Sequence, residues 1–202
     1  MKVKFHFSIL ILLIIFLFSG LIVEFALFLL TIFFHELGHL LVLKIFNQSP
    51  KQLNLTIVGG IMDVEIGKVS IIKEFLIDIS GVCVNILLYF LIKSIPVFPY
   101  KKLLLNYNLL MIFFNILPIY PLDGYRILEA LFRLINDPFK EQKILSKLSF
   151  ISLLIAFIIL IFYAKSISVV VLFAFLIYQN LLLQVKNTEI ALKKYVKRYN
   201  YV

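Results

Sequence analysis

The residues best suited to chemistry in this sequence are His35, Glu36 and His39, in the string His35-Glu36-Leu37-Gly38-His39. On a helix, a spacing of four places two side chains on one face, one turn apart, so both imidazoles can bind a single Zn²⁺ as neighbouring ligands. Glu36 lies beside them and suits a general base that takes a proton from water. Gly38 leaves the helix surface open to a close neighbour. The bland alternative is a set of side chains satisfied by hydrogen bonds between helices. It is the weaker reading, because the string sits in an apolar run, where burying three ionisable groups costs several kcal/mol that a metal would compensate.

Only three histidines occur in the chain, and the third, His6, lies at the far end of its own apolar run. A carboxylate is therefore expected as the third ligand. Asp63 and Glu65 stand downstream of His39 at the distance of a glutamate-completed zinc site, but in a loop. Asp123 follows an uncharged run and closes Asn115-Ile116-Leu117-Pro118-Ile119-Tyr120-Pro121-Leu122-Asp123-Gly124, where two prolines and a glycine break the helix. Non-helical backbone at membrane depth is tolerated only where it is buried in protein or lines a wet cavity. Asp123 is the preferred ligand, with Glu65 in reserve.

The elements that must position these residues follow from composition. Of 202 residues, 62% are hydrophobic and 15% charged, against about 45–50% and about 25% in soluble domains, so an ordinary soluble protein is excluded. Six apolar runs cover 7–23, 25–46, 75–95, 103–122, 148–164 and 166–185. A basic leader precedes the first, which lacks a small-x-small cleavage site and is kept as a span. With the amino terminus inside, sixteen of the twenty Lys and Arg fall on the inner side, and Lys93, Lys101, Lys102 and Lys165 on the outer. The positive-inside rule then puts both termini in the cytoplasm of a multi-pass protein. His35 and His39 stand ~10–16 Å from the inner end of the second run, at 1.5 Å per residue, and Asp123 ends a run that also travels inward. The site is expected in the cytoplasmic half of the bundle.

Between the second and third runs, Leu53, Leu55 and Ile57 alternate with polar residues, Gly59-Gly60 follows, and Val64 and Ile66 alternate with Asp63 and Glu65. This pattern predicts a β-hairpin with a Gly-Gly turn, either a plain surface feature or an edge strand that receives an extended peptide by β-addition. The fold class expected is an all-α polytopic membrane protein with six transmembrane helices and a membrane-associated β-hairpin loop after the second. Residues 1–185 make the membrane domain and 186–202 a short basic cytoplasmic tail.

His-Glu-Leu-Gly-His in one span with Asn-x-x-Pro-x-x-Pro-Leu-Asp-Gly in a later one resembles the site-2 protease family of intramembrane zinc metalloproteases. The resemblance covers essentially the whole chain and is most like the sporulation stage IV FB type, which processes a membrane-associated pro-sigma factor. It implies Zn²⁺ as cofactor with His35, His39 and Asp123 as ligands, Glu36 as the base, and Asn115 as a polar group near the substrate. Gly81 and Asn85 sit where the family has a small-Gly-Pro-x-x-Asn pattern, with Val82 in place of the Pro. Gly59 and Gly60 match the family's Gly-Gly loop. The implied partners are a membrane-associated protein substrate, the lipid bilayer and inhibitory or activating membrane proteins, and the implied location is the bacterial cell membrane. The sporulation type commonly carries a nucleotide-sensing CBS domain after its last span, for which residues 186–202 leave no room.

Cys83 is the single cysteine, so a Cys-rich zinc site or iron–sulfur cluster is excluded. The tail's basic residues, interleaved with Tyr195, Tyr199 and Tyr201, look like a nucleic-acid patch, but beside a span they are more simply a contact with anionic lipid, and no nucleic-acid partner is expected. Asp78 is expected to reach the inner surface, and Asn106 and Asn108 to bond between helices. The rival function is a zinc-binding membrane protein without proteolysis, a transporter or a degenerate relative. An intact Glu36 argues against it, because a mere metal holder has no need of a base between its ligands.

Overall fold

Apolar runs free of proline became long helices, and proline or a left-handed residue marks where several of them stop. The computed structural model describes residues 2–5, 14, 17–18, 20–48, 52–56, 59–63, 70–133, 137–163 and 167–199. Among these, helix α1 covers Ile22–Ile45. It ends as Asn47 takes φ +54, a conformation asparagine tolerates, and Gln48 N–H turns back to the Leu43 carbonyl. Helix α2 (Ile71–Ser94) stops ahead of Pro96, and α3 (Lys101–Ile116) ahead of Pro118. Helix α4 (Asp123–Phe132) is short. Helix α5 (Pro138–Tyr163) opens on a proline, with Asp137 Oδ1 accepting from the amides of Phe139 and Lys140. Helices α6 (Ile167–Val185) and α7 (Asn187–Tyr199) complete the chain.

Three helices are long and apolar enough to cross a membrane: α1, α2 and α5. A fourth candidate is α6 together with α7, bent from it by 62°. This is a membrane protein, but three or four spans stand among the described residues where six are expected. The physical reasons are specific. Most of the first predicted run, 7–23, lies outside the described residues. The fourth, 103–122, is cut by its prolines, so α3 has 16 residues, about 24 Å at 1.5 Å each, short of ~30 Å of hydrocarbon.

The chain divides into two units, Met1–Glu65 with Leu76–Ile116, and Ile66–Phe75 with Leu117–Val202. In the first, α1 packs on α3, with Phe28 and Tyr107 edge to face at 5.5 Å. The same unit holds a three-stranded sheet of β1 (Lys2–Phe5), β2 (Gln52–Thr56) and β3 (Gly59–Asp63), ordered β1-β2-β3. Strand β2 is central, parallel to β1 and antiparallel to β3. The register pairs Gly59 with Thr56 and Gly60 with Leu55. Both glycines therefore belong to the ladder and not to the turn their sequence predicts, since pairing along the whole strand outweighs the local preference of a Gly-Gly pair. Strand β1, read from sequence as a basic leader, was not anticipated. Ile57, Val64, Glu65 and Ile66 lie outside the described residues.

In the second unit α5 packs against α4, α6 and α7. Tyr125, Leu145 and Leu183 form its buried apolar centre, with Tyr120, Leu128, Phe132 and Ile190 around them.

Candidate metal centre

Helix α1 carries the His-Glu-x-x-His string on its buried side, with His35, Glu36 and His39 at 2%, 6% and 5% exposure. Each imidazole is held at Nδ1 by a group on α2. The Asn108 amide donates to the Leu104 carbonyl at 2.8 Å, which fixes its orientation. Its Oδ1 must then accept from the Asn85 amide at 3.0 Å, leaving Asn85 Oδ1 to accept from His35 Nδ1 at 2.6 Å. His39 Nδ1 faces the backbone carbonyl of Ile77 at 2.8 Å, an acceptor only. Ser80 Oγ donates to the same carbonyl and stands 3.2 Å from His39 Nδ1. Both rings are thereby assigned a proton on Nδ1 and a lone pair on Nε2, the form in which histidine binds a metal.

The two Nε2 atoms are 3.3 Å apart, with the rings edge to face. Facing lone pairs repel unless a cation lies between their directions. Two nitrogens each about 2.0–2.1 Å from a tetrahedral Zn²⁺ stand about 3.3–3.4 Å from one another, so the pair fits that ion without rearrangement.

The close approach of α1 and α2 depends on two glycines. A Cβ on Gly38 would come within 2.9 Å of the Ser80 carbonyl and 2.8 Å of Val84 Cγ2. A Cβ on Gly81 would meet His39 Nε2, His35 Cε1 and His35 Nε2. The cradle at residue 81 is thus filled by the metal-facing edges of both rings. Small residues permit such contact between apolar helices, where backbone packing replaces hydrophobic drive. Val82 stands in an unbroken α2, consistent with a position that lacks the proline of the resembling pattern.

In the second unit the break before α4 is built as carefully. Residues 117–122 are non-helical, so the amide and carbonyl of Tyr120 need partners. Ser149 Oγ on α5 accepts the Tyr120 amide at 2.8 Å, and the Asn180 amide on α6 donates to its carbonyl at 2.9 Å. Ser149 and Asn180 bond one another and are fully buried. Asp123 is the first residue of α4, 8% exposed, where the positive end of the helix dipole favours a carboxylate. Two residues on, Tyr125 accepts a hydrogen bond from Gln142, and burial pushes its hydroxyl above the ordinary phenol range.

Of the other residues singled out from sequence, Asn85 is placed on His35, and Asn115, 4% exposed, donates to the Met111 carbonyl of its own helix. Gly59 and Gly60 lie in β3, and Glu65 and His6 lie outside the described residues. Asp78 is 7% exposed and buried, not at the surface, because it follows Ile77 on the α2 segment packed against His39. Sequence reasoning missed Ser80, Ser149 and Asn180. Their signal was available: each is a polar residue inside an otherwise apolar run, and at membrane depth such groups have a partner.

No protein-family model matches the chain. It is 36% identical over 110 residues to the stage IV sporulation protein FB of Bacillus subtilis, covering 52% of this chain and 38% of that protein. It is 28% identical over 159 residues to a zinc metalloprotease of Methanocaldococcus jannaschii, covering 74% of this chain and 45% of that one. The chain thus spans less than half the length of either relative. Among solved structures, the site-2 protease from Methanocaldococcus jannaschii superposes with a TM-score of 0.66 at 22% identity, over 94% of this chain and 90% of that one. By sequence, then, its homologues are a stage IV sporulation protein FB and a zinc metalloprotease, and in fold its neighbour is a site-2 protease.

Proposed function

We propose that this chain is an intramembrane zinc endopeptidase of the site-2 protease type, cutting a membrane-associated protein near the cytoplasmic side of a bacterial cell membrane. The observation that carries the reading is the anchored pair His35 and His39, with Nε2 atoms converging at 3.3 Å on the face of the helix that also bears Glu36. A zinc held there supplies Lewis-acid polarisation of a scissile carbonyl and lowers the pKa of water to about 7. Asp123 is the proposed third ligand, a buried carboxylate whose chemistry suits two neutral imidazoles. Glu36 takes the proton from the attacking water and returns it to the leaving amine. Asn85 and the Ile77 carbonyl hold the imidazoles in the ligating tautomer.

A substrate helix must unwind before its carbonyls are free, and the sheet suits an extended segment. Strand β2 has a partner on each side, so a substrate would pair at an outer strand, of which β3 carries Gly59 and Gly60. Asn115 is the proposed polar contact nearer the cut. A six-span topology with both termini cytoplasmic is the proposed arrangement on the distribution of Lys and Arg, with α3 and the non-helical residues 117–122 together making the fourth crossing. The name of the stage IV sporulation relative supports a sporulation role, for which a pro-sigma factor is the proposed substrate.

The test compares wild type, Glu36→Gln and Asp123→Ala in the full chain, co-expressed with membrane-tethered transcription factors. Glu36→Gln should retain about one zinc and leave the substrate uncut, whereas Asp123→Ala should lose both zinc and cleavage. Unchanged cleavage in Glu36→Gln would overturn the mechanism. Zinc binding without cleavage in the wild type, on any tethered substrate, would favour a non-proteolytic metal protein.

A further inference from the structure

Helix α7 buries a polar cluster while leaving an apolar strip exposed. Beside Ile190 and Ala191, which face the apolar centre of the unit, its inward side carries a polar cluster: Lys194 Nζ donates to Glu129, Glu141 and Gln142 at 2.6, 2.9 and 2.7 Å, with Glu141 fully buried. Asn187 on the same side accepts from Gln142 and donates to Ser146. The outward side carries an apolar strip beside the exposed Glu189–Lys193 ion pair. Leu192, Tyr195 and Val196, spaced three and four apart on one face, are 53%, 46% and 48% exposed. Phe139 of α5, 43% exposed, extends this surface with its ring 6.4 Å from that of Tyr195.

From this we infer that the outward face of α7 docks on the surface of an acidic lipid leaflet. Three observations select that occupant. First, α7 has 13 residues, about 20 Å, and carries five charged side chains, so it cannot cross ~30 Å of hydrocarbon. Second, it departs by 62° from the apolar α6, as a helix does that leaves the bilayer and lies along it. Third, Lys143, Lys147, Lys186 and Lys193 are exposed on α5, on α7 and at the bend between α6 and α7, and Glu189, paired with Lys193, offsets only one of them, so the surface complements anionic headgroups. The inward polar cluster holds the helix in the orientation that turns its apolar side out. The inference requires a chain inserted in a membrane but no proteolysis, so it stands or falls apart from the proposed chemistry.

The test uses the full chain with Cys83→Ser and a single Leu192→Cys or Val196→Cys carrying an environment-sensitive fluorophore. The chain is reconstituted in vesicles of phosphatidylcholine alone or with one quarter phosphatidylglycerol. With phosphatidylglycerol, nitroxides on the lipid tails should quench the fluorophore, and acrylamide in the water should reach it poorly. Removing one charge, by Lys186→Gln or Lys193→Gln, should lower the ratio of docked to lifted helix about fivefold, as should added salt in the same direction. Equal quenching in both vesicle types would overturn the inference. Protection from acrylamide without quenching by lipid would also overturn it and give the surface to a protein. The two labelled positions check one another against a local folding defect.

Discussion

Adding one methyl group at Gly81 should cost this protein most of its metal affinity. An alanine Cβ there would collide with His39 Nε2 and lie 2.6 and 2.7 Å from His35 Cε1 and Nε2. Favourable contact between heavy atoms begins near 3.5 Å, so both rings must retreat by about 1 Å. They cannot do so freely. His35 is held by Asn85 at 2.6 Å and His39 by the Ile77 carbonyl at 2.8 Å, and both holders stand on the same helix as residue 81. Either the Nδ1 hydrogen bonds stretch or the Nε2 atoms lose the 3.3 Å spacing that suits zinc. Losing the support of ligating histidines typically costs 10–100-fold in metal affinity, about 1.4–2.7 kcal/mol, and Gly81→Ala should lose at least that much. Zinc affinity is measured by competition with a chromophoric chelator on the full chain in detergent, with a thermal melt of the metal-free form as the control for folding. An affinity within twofold of wild type would refute the placement of the rings against residue 81.

Asn85→Leu keeps the branching at Cγ but removes the acceptor for His35 Nδ1, so zinc affinity should fall about 10–100-fold while Asn85→Asp, which retains an acceptor, should recover part of it in the same titration. Lys194→Met removes the cation paired with the buried Glu141 and should destabilise the chain by about 3–5 kcal/mol in a denaturant or thermal melt. Lys193→Met, which removes only an exposed pair with Glu189, should shift the same melt by no more than about 1 kcal/mol.

Much of the chemistry was legible along the chain because it is local. A spacing of four on a helix puts His35 and His39 on one face whatever surrounds them, and charge near apolar runs marks the parts that cannot lie in lipid. Prolines at 96, 118 and 121 announce helix ends, since their rings forbid the continuing hydrogen bonds. Hence α1, α2 and the break before Asp123 could be read in advance, whereas α5 begins at Pro138, ten residues before the apolar run expected from 148.

Pairing across the chain is another matter, because it depends on which distant groups meet. Nothing local tells Asn85 that its partner is His35, or Ser149 and Asn180 that they will satisfy the backbone of Tyr120. The sheet register likewise took Gly59 and Gly60 out of the expected turn, because ladder bonds along β2 outweigh a two-residue preference. The tautomer of each histidine is decided last, by an acceptor on another helix. The sequence by itself determined which residues could bind a metal and on which face of a helix; the tertiary structure decided that both imidazoles present their lone pairs to one point, because only a packed neighbour can hold the opposite nitrogen of each ring.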